Sequence, residues 1–417
     1  MKKRYRIPFL LCLALMLITC TEQSSNPTGS PSGLPRQLSK SEEKIIESGT
    51  KFGLKIFKTM VADQPDSNII ISPLSISMAL GMTYNGAATS TLDAMHQTLE
   101  FDDLSEDEIN QSYLDLLELL TELDPKVRFD IANSIWYRED FDIRESFVNV
   151  NQDYFKAEVS ELDFSRSDAA DIINAWVNAS TNGLIEEIVD NPINPLTVMF
   201  LINTIYYKGT WTYEFDPEST HEASFYYPDG SSLTCQMMQC KSEFDYFTND
   251  RFQAIDLLYG DGNFSMTIIL PNSDIDIDEL IQSIDDEQWL EWMDSFSQDS
   301  VQLALPKFKL RYYRKLNDAL TAIGMGIAFS GAADFSGMCE GGGLFISEVR
   351  HKTYIEVNEE GTEAAAVTSV EIREKSIGTG DQPVIMNVNR PFIFAIRERN
   401  SETILFMGKV FEPDWEM

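Results

Sequence analysis

Positive charge is scarce in this sequence. Of 417 residues, 32 are Lys or Arg and 67 are Asp or Glu, a formal charge of −35. A surface of that sign repels phosphate and sulfate backbones, which excludes nucleic acid and glycosaminoglycans as partners. Histidine is almost missing: His96, His221 and His351 are the only three. They rule out a His-rich metal site and leave few candidates for a His-dependent triad. The five cysteines form no C-x-x-C pair. Cys235 and Cys240 stand five apart, facing opposite sides of an extended strand. With Cys339 they make an odd set once Cys12 and Cys20 are set aside, and no disulfide is expected. There is no G-x-S-x-G elbow and no Walker loop, and Gly378-Thr379-Gly380 lacks a third glycine. His221-Glu222 lacks a second histidine four positions on. Asp274, Asp276, Asp278 and Glu279 read as a solvated loop or helix start. Nothing here calls for a cofactor or a metal, and no constellation supports an enzyme.

Long apolar runs are also few. The one at the start, Ile7 to Ile18, is too short to span a bilayer but suits a signal peptide behind Lys2, Lys3, Arg4 and Arg6. It ends in Leu17-Ile18-Thr19-Cys20, which resembles a bacterial lipoprotein box, with Thr19 where Ala, Gly or Ser is usual. Residues 1–19 are thus expected to be removed, leaving Cys20 as a lipid anchor. Loss of four basic residues takes the charge from −35 to −39. Residues 20–43, rich in Ser, Pro, Gly and Thr to about Lys40, read as a tether. Twenty such residues have a typical end-to-end distance of roughly 25 Å. These features imply an exported protein, secreted or held at the envelope membrane through its N-terminal lipid.

Apolar residues make up 43 % of the chain and charged residues 24 %, the balance of a folded domain. From Lys44 to the end there is no second linker and no repeat. Ile45, Phe52, Ile56 and Met60 recur at helical spacing. Ser72-Pro73 is a helix start, and Leu74 to Leu80 is apolar on most sides, so that helix should be buried. Ser90 with Asp93 resembles a capping box. Gln111 to Leu120 and Asp171 to Val189 also read as helices. Phe264 to Pro271, Val301 to Lys309, Tyr354 to Val357, Phe392 to Ile396 and Thr403 to Val410 are β-type runs. Helices first and strands later indicate an α+β domain over residues 44–417.

One segment decides the reading. After the strand Tyr354 to Val357 come Asn358-Glu-Glu-Gly-Thr-Glu-Ala-Ala-Ala-Val-Thr-Ser-Val-Glu. Taken as a strand, Thr362, Ala364, Ala366, Thr368 and Val370 share one small, uncharged face. Glu363, Ala365, Val367, Ser369 and Glu371 share a wet one. Three alanines are poor strand formers, but they suit a strand that must slide into a narrow gap. Ser376 to Gln382 reads as exposed loop.

This segment resembles the hinge of the serpins, the serine protease inhibitor family. Further stretches follow in family order: Asn68-Ile-Ile-Ile-Ser-Pro-Leu-Ser-Ile, Asn174-Ala-Trp-Val-Asn-Ala-Ser-Thr-Asn-Gly-Leu-Ile, Leu201-Ile-Asn-Thr-Ile-Tyr-Tyr-Lys-Gly-Thr-Trp, Leu305-Pro-Lys-Phe, Val349-Arg-His-Lys, Asn389-Arg-Pro-Phe-Ile-Phe and Leu405-Phe-Met-Gly-Lys-Val. The resemblance implies three β-sheets, about eight to nine helices and an exposed reactive loop at about 359–382. It implies a monomeric suicide substrate: a protease cuts the loop, and the loop inserts into the large sheet carrying the acylated protease with it. Glu359, Glu360, Gly361, Thr362, Glu363, Ala364, Ala365 and Ala366 take the hinge role. The seventeenth residue from Glu359 is Lys375, which places the scissile bond at Lys375–Ser376, with Arg373 the neighbouring candidate. A basic bait implies a trypsin-like target. By the same resemblance Ser72, Ser75, Asn203 and His351 belong to a polar cluster under the sheet opening, and Trp211 and the Lys307–Glu359 pair to its upper end. The family's basic cofactor helix is missing, since Phe101 to Leu120 is acidic. The alternative is a non-inhibitory member acting as a binder or chaperone, but such a hinge would tend to carry bulky, charged or Pro residues.

Overall fold

Two β-sheets, with helices packed on them, bury the apolar residues of the chain in the computed structural model, which describes residues 33–340, 343–362 and 382–415. Ser39 opens the first helix, α1 (Lys40–Asp63), through a capping box with Glu42. Arg36 grips the same buried Glu42 with bonds of 2.8 and 2.5 Å. The expected tether therefore gives way to ordered chain before residue 43. The next helix, α2 (Pro73–Tyr84), starts where expected: the Ser72 hydroxyl accepts from the Ser75 N–H at 3.2 Å. It is buried almost all round, as its composition requires.

Two local expectations are corrected. Helix α3 (Thr89–Thr98) begins behind Ala88 with no side-chain cap, so Ser90 and Asp93 form no capping box. The box belongs to the following helix, α4 (Glu106–Thr121), where Ser105 and Glu108 reciprocate. After α5 (Glu145–Phe155), α6 (Ala169–Ser180) stops well short of Val189. Asn182 and Gly183 adopt φ of 51° and 89°, a left-handed turn that a helix cannot continue through.

The six-stranded sheet runs in the order β10 (Phe308–Lys315), β11 (Arg350–Val357), β12 (Gly361–Thr362), β4 (Met199–Thr210), β2 (Val127–Arg138), β3 (Glu158–Leu162). Along β11 the odd residues from His351 to Val357 are buried and the even ones half-buried, the alternation of a strand with one core face. Tyr207 of β4 packs on Phe129 and Phe264 on that face. On the other face Ile202 and Trp136 join Ile173 and Val177 of α6 in a second apolar cluster.

The other sheet has nine strands: β1 (Ile69–Ile71), β15 (Ile404–Val410), β14 (Phe392–Glu398), β8 (Phe264–Pro271), β7 (Phe252–Tyr259), β6 (Ser232–Thr248), β9 (Ser297–Pro306) and β13 (Val384–Asn387), with β5 (His221–Tyr226) paired to β6. The 17-residue β6 pairs in turn with β5, β9 and β7, so two smaller sheets run into one. The run Val301 to Lys309 divides at Lys307 into β9 and β10, which belong to different sheets.

At one end of the six-stranded sheet, β12 pairs with both neighbours: Thr362 with Val357 of β11, and Gly361 and Thr362 with Thr210 and Gly209 of β4. Beyond β12, among the described residues, no ladder joins β4 to β11. Two cavities of about 20 Å³ each lie there, one between Asn203 and His351 and one between Tyr207 and Ile355. The sheet holds a slot one strand wide at its entrance, with two residues of a strand already in it.

Candidate functional site

The entrance is built around the chain that turns into the slot. Trp211 donates its indole N–H to Asn358 O and its backbone N–H to Glu360 O, both at 2.9 Å, and Phe215 N–H reaches Glu359 O at 2.9 Å. The Trp211 ring stacks on Tyr259 at 4.3 Å. The Tyr259 hydroxyl meets Thr362 Oγ1 at 2.5 Å. Lys307 Nζ lies 2.8 Å from Glu359 Oε2, and Thr220 Oγ1 donates to the other oxygen at 2.8 Å. Burial pushes the Glu359 carboxyl up, but the bonds from Lys307, backbone N–H and Thr220 outweigh it and hold it below its ordinary range. Trp415, close to the C-terminus, covers both Lys307 and Lys309, its ring centre 4.2 and 4.4 Å from their ammonium groups. Gly361 has φ of +154°, and a Cβ there would stand 2.1 Å from Gly209 O. Only glycine fits this close approach of two backbones.

Farther along the slot lies a polar cluster. Ser72 N–H donates to His351 Nε2 at 3.1 Å, and Ser72 Oγ donates to Leu405 O at 2.6 Å. An accepting Nε2 places the imidazole proton on Nδ1. Desolvation pushes the pKa of His351 down to about 4, so the ring is neutral. Asn203 Nδ2 donates to Asn133 Oδ1 at 2.7 Å, and Asn133 Nδ2 to Phe155 O at 2.6 Å. Asn203 Oδ1 and the Tyr207 hydroxyl are buried with no hydrogen-bond partner among the described residues. Buried polar atoms are normally satisfied, so both have hydrogen-bonding capacity to spare.

The structure thus brings together Ser72, Ser75, Asn203 and His351 around one cavity, and Trp211, Lys307 and Glu359 around the entrance. Glu359 to Thr362 are held at the sheet and not in free loop. Glu363, Ala364, Ala365, Ala366, Arg373, Lys375, Ser376 and Cys20 lie outside the described residues. Sequence reasoning missed Tyr259, Thr220, Asn133 and Trp415. None of these carries a local signal, because each acts across a long sequence separation.

The family profile described as Serpin (serine protease inhibitor) matches residues 47–413. The chain belongs to the serpin family. It is 34 % identical to the leukocyte elastase inhibitor of Bos taurus, over 89 % of this chain and all of that one. Among solved structures, human thyroxine-binding globulin complexed with thyroxine superposes with a TM-score of 0.82 at 28 % identity, covering 90 % of this serpin and 100 % of that chain. Tengpin, a thermophilic serpin in its native state, gives 0.80 at 34 % identity, covering 90 % and 95 %. The α+β serpin fold is thereby established. The relatives include a protein named as an inhibitor and one named for the ligand it binds.

Proposed function

We propose that this serpin inhibits trypsin-like serine proteases as a suicide substrate. The observation that carries the reading is the slot between β4 and β11, with Gly361 and Thr362 already paired at its entrance. If the chain continued in that register, Ala364, Ala366 and Thr368 would stand opposite Tyr207, Ile205 and Asn203 of β4. They would face Ile355, Thr353 and His351 of β11. All six partners lie on the core-facing side of their strands, so the small, uncharged face of the loop would be buried and its glutamates would point outward. The Thr368 hydroxyl would arrive at Asn203 Oδ1, which lacks a donor. Some fifteen inserted residues span about 50 Å, enough to carry an acylated protease across the molecule.

Lys375 is the bait residue in this reading, and Ser376 follows the cut. The protein acts after export, held to a bacterial envelope through Cys20. Trypsin tests it: wild type is expected to form an SDS-stable complex, Arg373→Ala to keep it and Lys375→Ala to lose it. Clean loop cleavage without a complex would overturn inhibition. It would favour the second reading, a ligand-binding member, for which the likeness to thyroxine-binding globulin speaks.

A further inference from the structure

Lys208 of β4 is a cation without a counterion. It stands on the outward face of the six-stranded sheet, between the core-facing Tyr207 and Gly209. There it borders a surface cleft of about 400 Å³ with Lys126, Arg128 and Thr210. The other two cations of the cleft are engaged: Lys126 pairs with Asp261 and Arg128 with Asp130, both at 2.6 Å. Arg128 also lies 4.9 Å from the centre of the Tyr206 ring. Among the described residues no carboxylate comes within ion-pair distance of Lys208. A half-buried lysine left unpaired stands out in a chain with 67 acidic residues to 32 basic ones.

The register of β12 names the acid that Lys208 would meet. Thr362 stands opposite Gly209 on one side and Val357 on the other. The next residue in that register, Glu363, would lie between Lys208 of β4 and Glu356 of β11, all three on the outward face. Glu356 is already compensated: the Tyr354 hydroxyl donates to it at 2.7 Å, and Lys309 Nζ stands 3.5 Å away. We infer that Lys208 is a positioning residue for loop insertion, its ammonium receiving the Glu363 carboxylate as the strand begins to grow. The inference rests on loop insertion as proposed above. Side chains opposite each other on paired strands have Cβ atoms about 5 Å apart, within reach of a Lys–Glu pair. Without Lys208, Glu363 would enter beside the like charge of Glu356, which opposes pairing. Lys208 is unpaired before insertion, so the new pair favours the inserted state alone. Glu363 is also the first residue to enter after the two already seated. The pair therefore acts at the outset, while insertion competes with hydrolysis of the acyl-enzyme.

The test uses the mature protein, trypsin as probe, and the variants Lys208→Met, Lys208→Arg and Glu363→Gln. Lys208→Met is expected to lower the ratio of SDS-stable complex to cleaved product about threefold, the scale of a partly exposed ion pair. Lys208→Arg keeps the charge and should keep the ratio. Glu363→Gln should lower the ratio, and adding it to Lys208→Met should cost less than it does in wild type. About 0.5 M NaCl should narrow the gap between wild type and Lys208→Met. A role in the intact fold alone would move other readouts. Lys208→Met should leave the rate of loop cleavage and the guanidinium midpoint of the intact protein unchanged, and lower the midpoint of the cleaved form. That last comparison holds whether or not a complex forms. If cleaved wild type gains heat resistance but Lys208→Met moves neither the ratio nor the cleaved-form midpoint, the role of Lys208 is overturned and insertion stands. If cleaved wild type gains none, insertion fails and the role of Lys208 with it.

Discussion

Acid is expected to loosen the middle of the slot through His351. Its ring is fully buried, accepts the Ser72 N–H at 3.1 Å, and has its pKa pushed from 6.5 to about 4 by desolvation. Between those two values the unfolded chain binds a proton that the folded one refuses. Stability is then lost as pH falls from about 6.5 toward 4. The full difference is worth about 3 kcal/mol. A second group pulls the other way. Burial and the neighbouring Asp256 and Glu398 carboxylates raise Glu402 to about 7 against the attraction of Arg397, so the folded state takes up a proton there first. That term stabilises as pH falls from about 7 to 4.5, with similar size. The melting curve of wild type against pH should therefore be shallow, and the difference between wild type and His351→Gln is the informative quantity. Urea midpoints at pH 7.5 and 5.0 measure it. His351→Gln should lose about 1 kcal/mol at pH 7.5 for a weaker bond to Ser72. At pH 5.0 it should equal or exceed wild type. Parallel midpoints at both pH values would refute the assignment of a neutral, buried His351.

Three further outcomes follow from the entrance and the slot. Gly361→Ala would drive a Cβ to 2.1 Å from Gly209 O, expel Gly361 and Thr362 from the sheet and lower stability by about 2–4 kcal/mol, read as a fall in melting temperature. Glu359→Gln leaves Lys307 half-compensated and should cost about 1–3 kcal/mol, with a smaller loss in high salt; an unchanged melting temperature would show the pair to be idle. Thr368→Val should leave the intact protein unchanged and destabilise only the loop-cleaved form, by about 1–2 kcal/mol, because Asn203 Oδ1 then stays unpaired; equal effects on both forms would break the inferred register.

What the sequence revealed depended on how far apart the cooperating residues stand. The start of α2 was legible because Ser72 and Pro73 are neighbours and cap their own helix. The end of α6 was not, since the apolar pattern runs on to Val189 while Asn182 and Gly183 turn the backbone away. The false capping box at Ser90 shows the limit of a spacing rule: the helix starts two residues earlier, behind Ala88. The Ser72–His351 bond spans 279 positions, and no local pattern announces it; family resemblance supplied it.

The central claim is that the slot takes the cleaved loop as a strand, and heat measures this most directly. About ten newly ordered residues, each gaining on the order of 1 kcal/mol, should raise the melting temperature by about 10 °C or more. Purified mature protein is to be nicked once in the loop by trypsin and melted beside the intact form. The account predicts a cleaved form that melts well above the intact one. A cleaved form that melts at the same temperature or lower would contradict it.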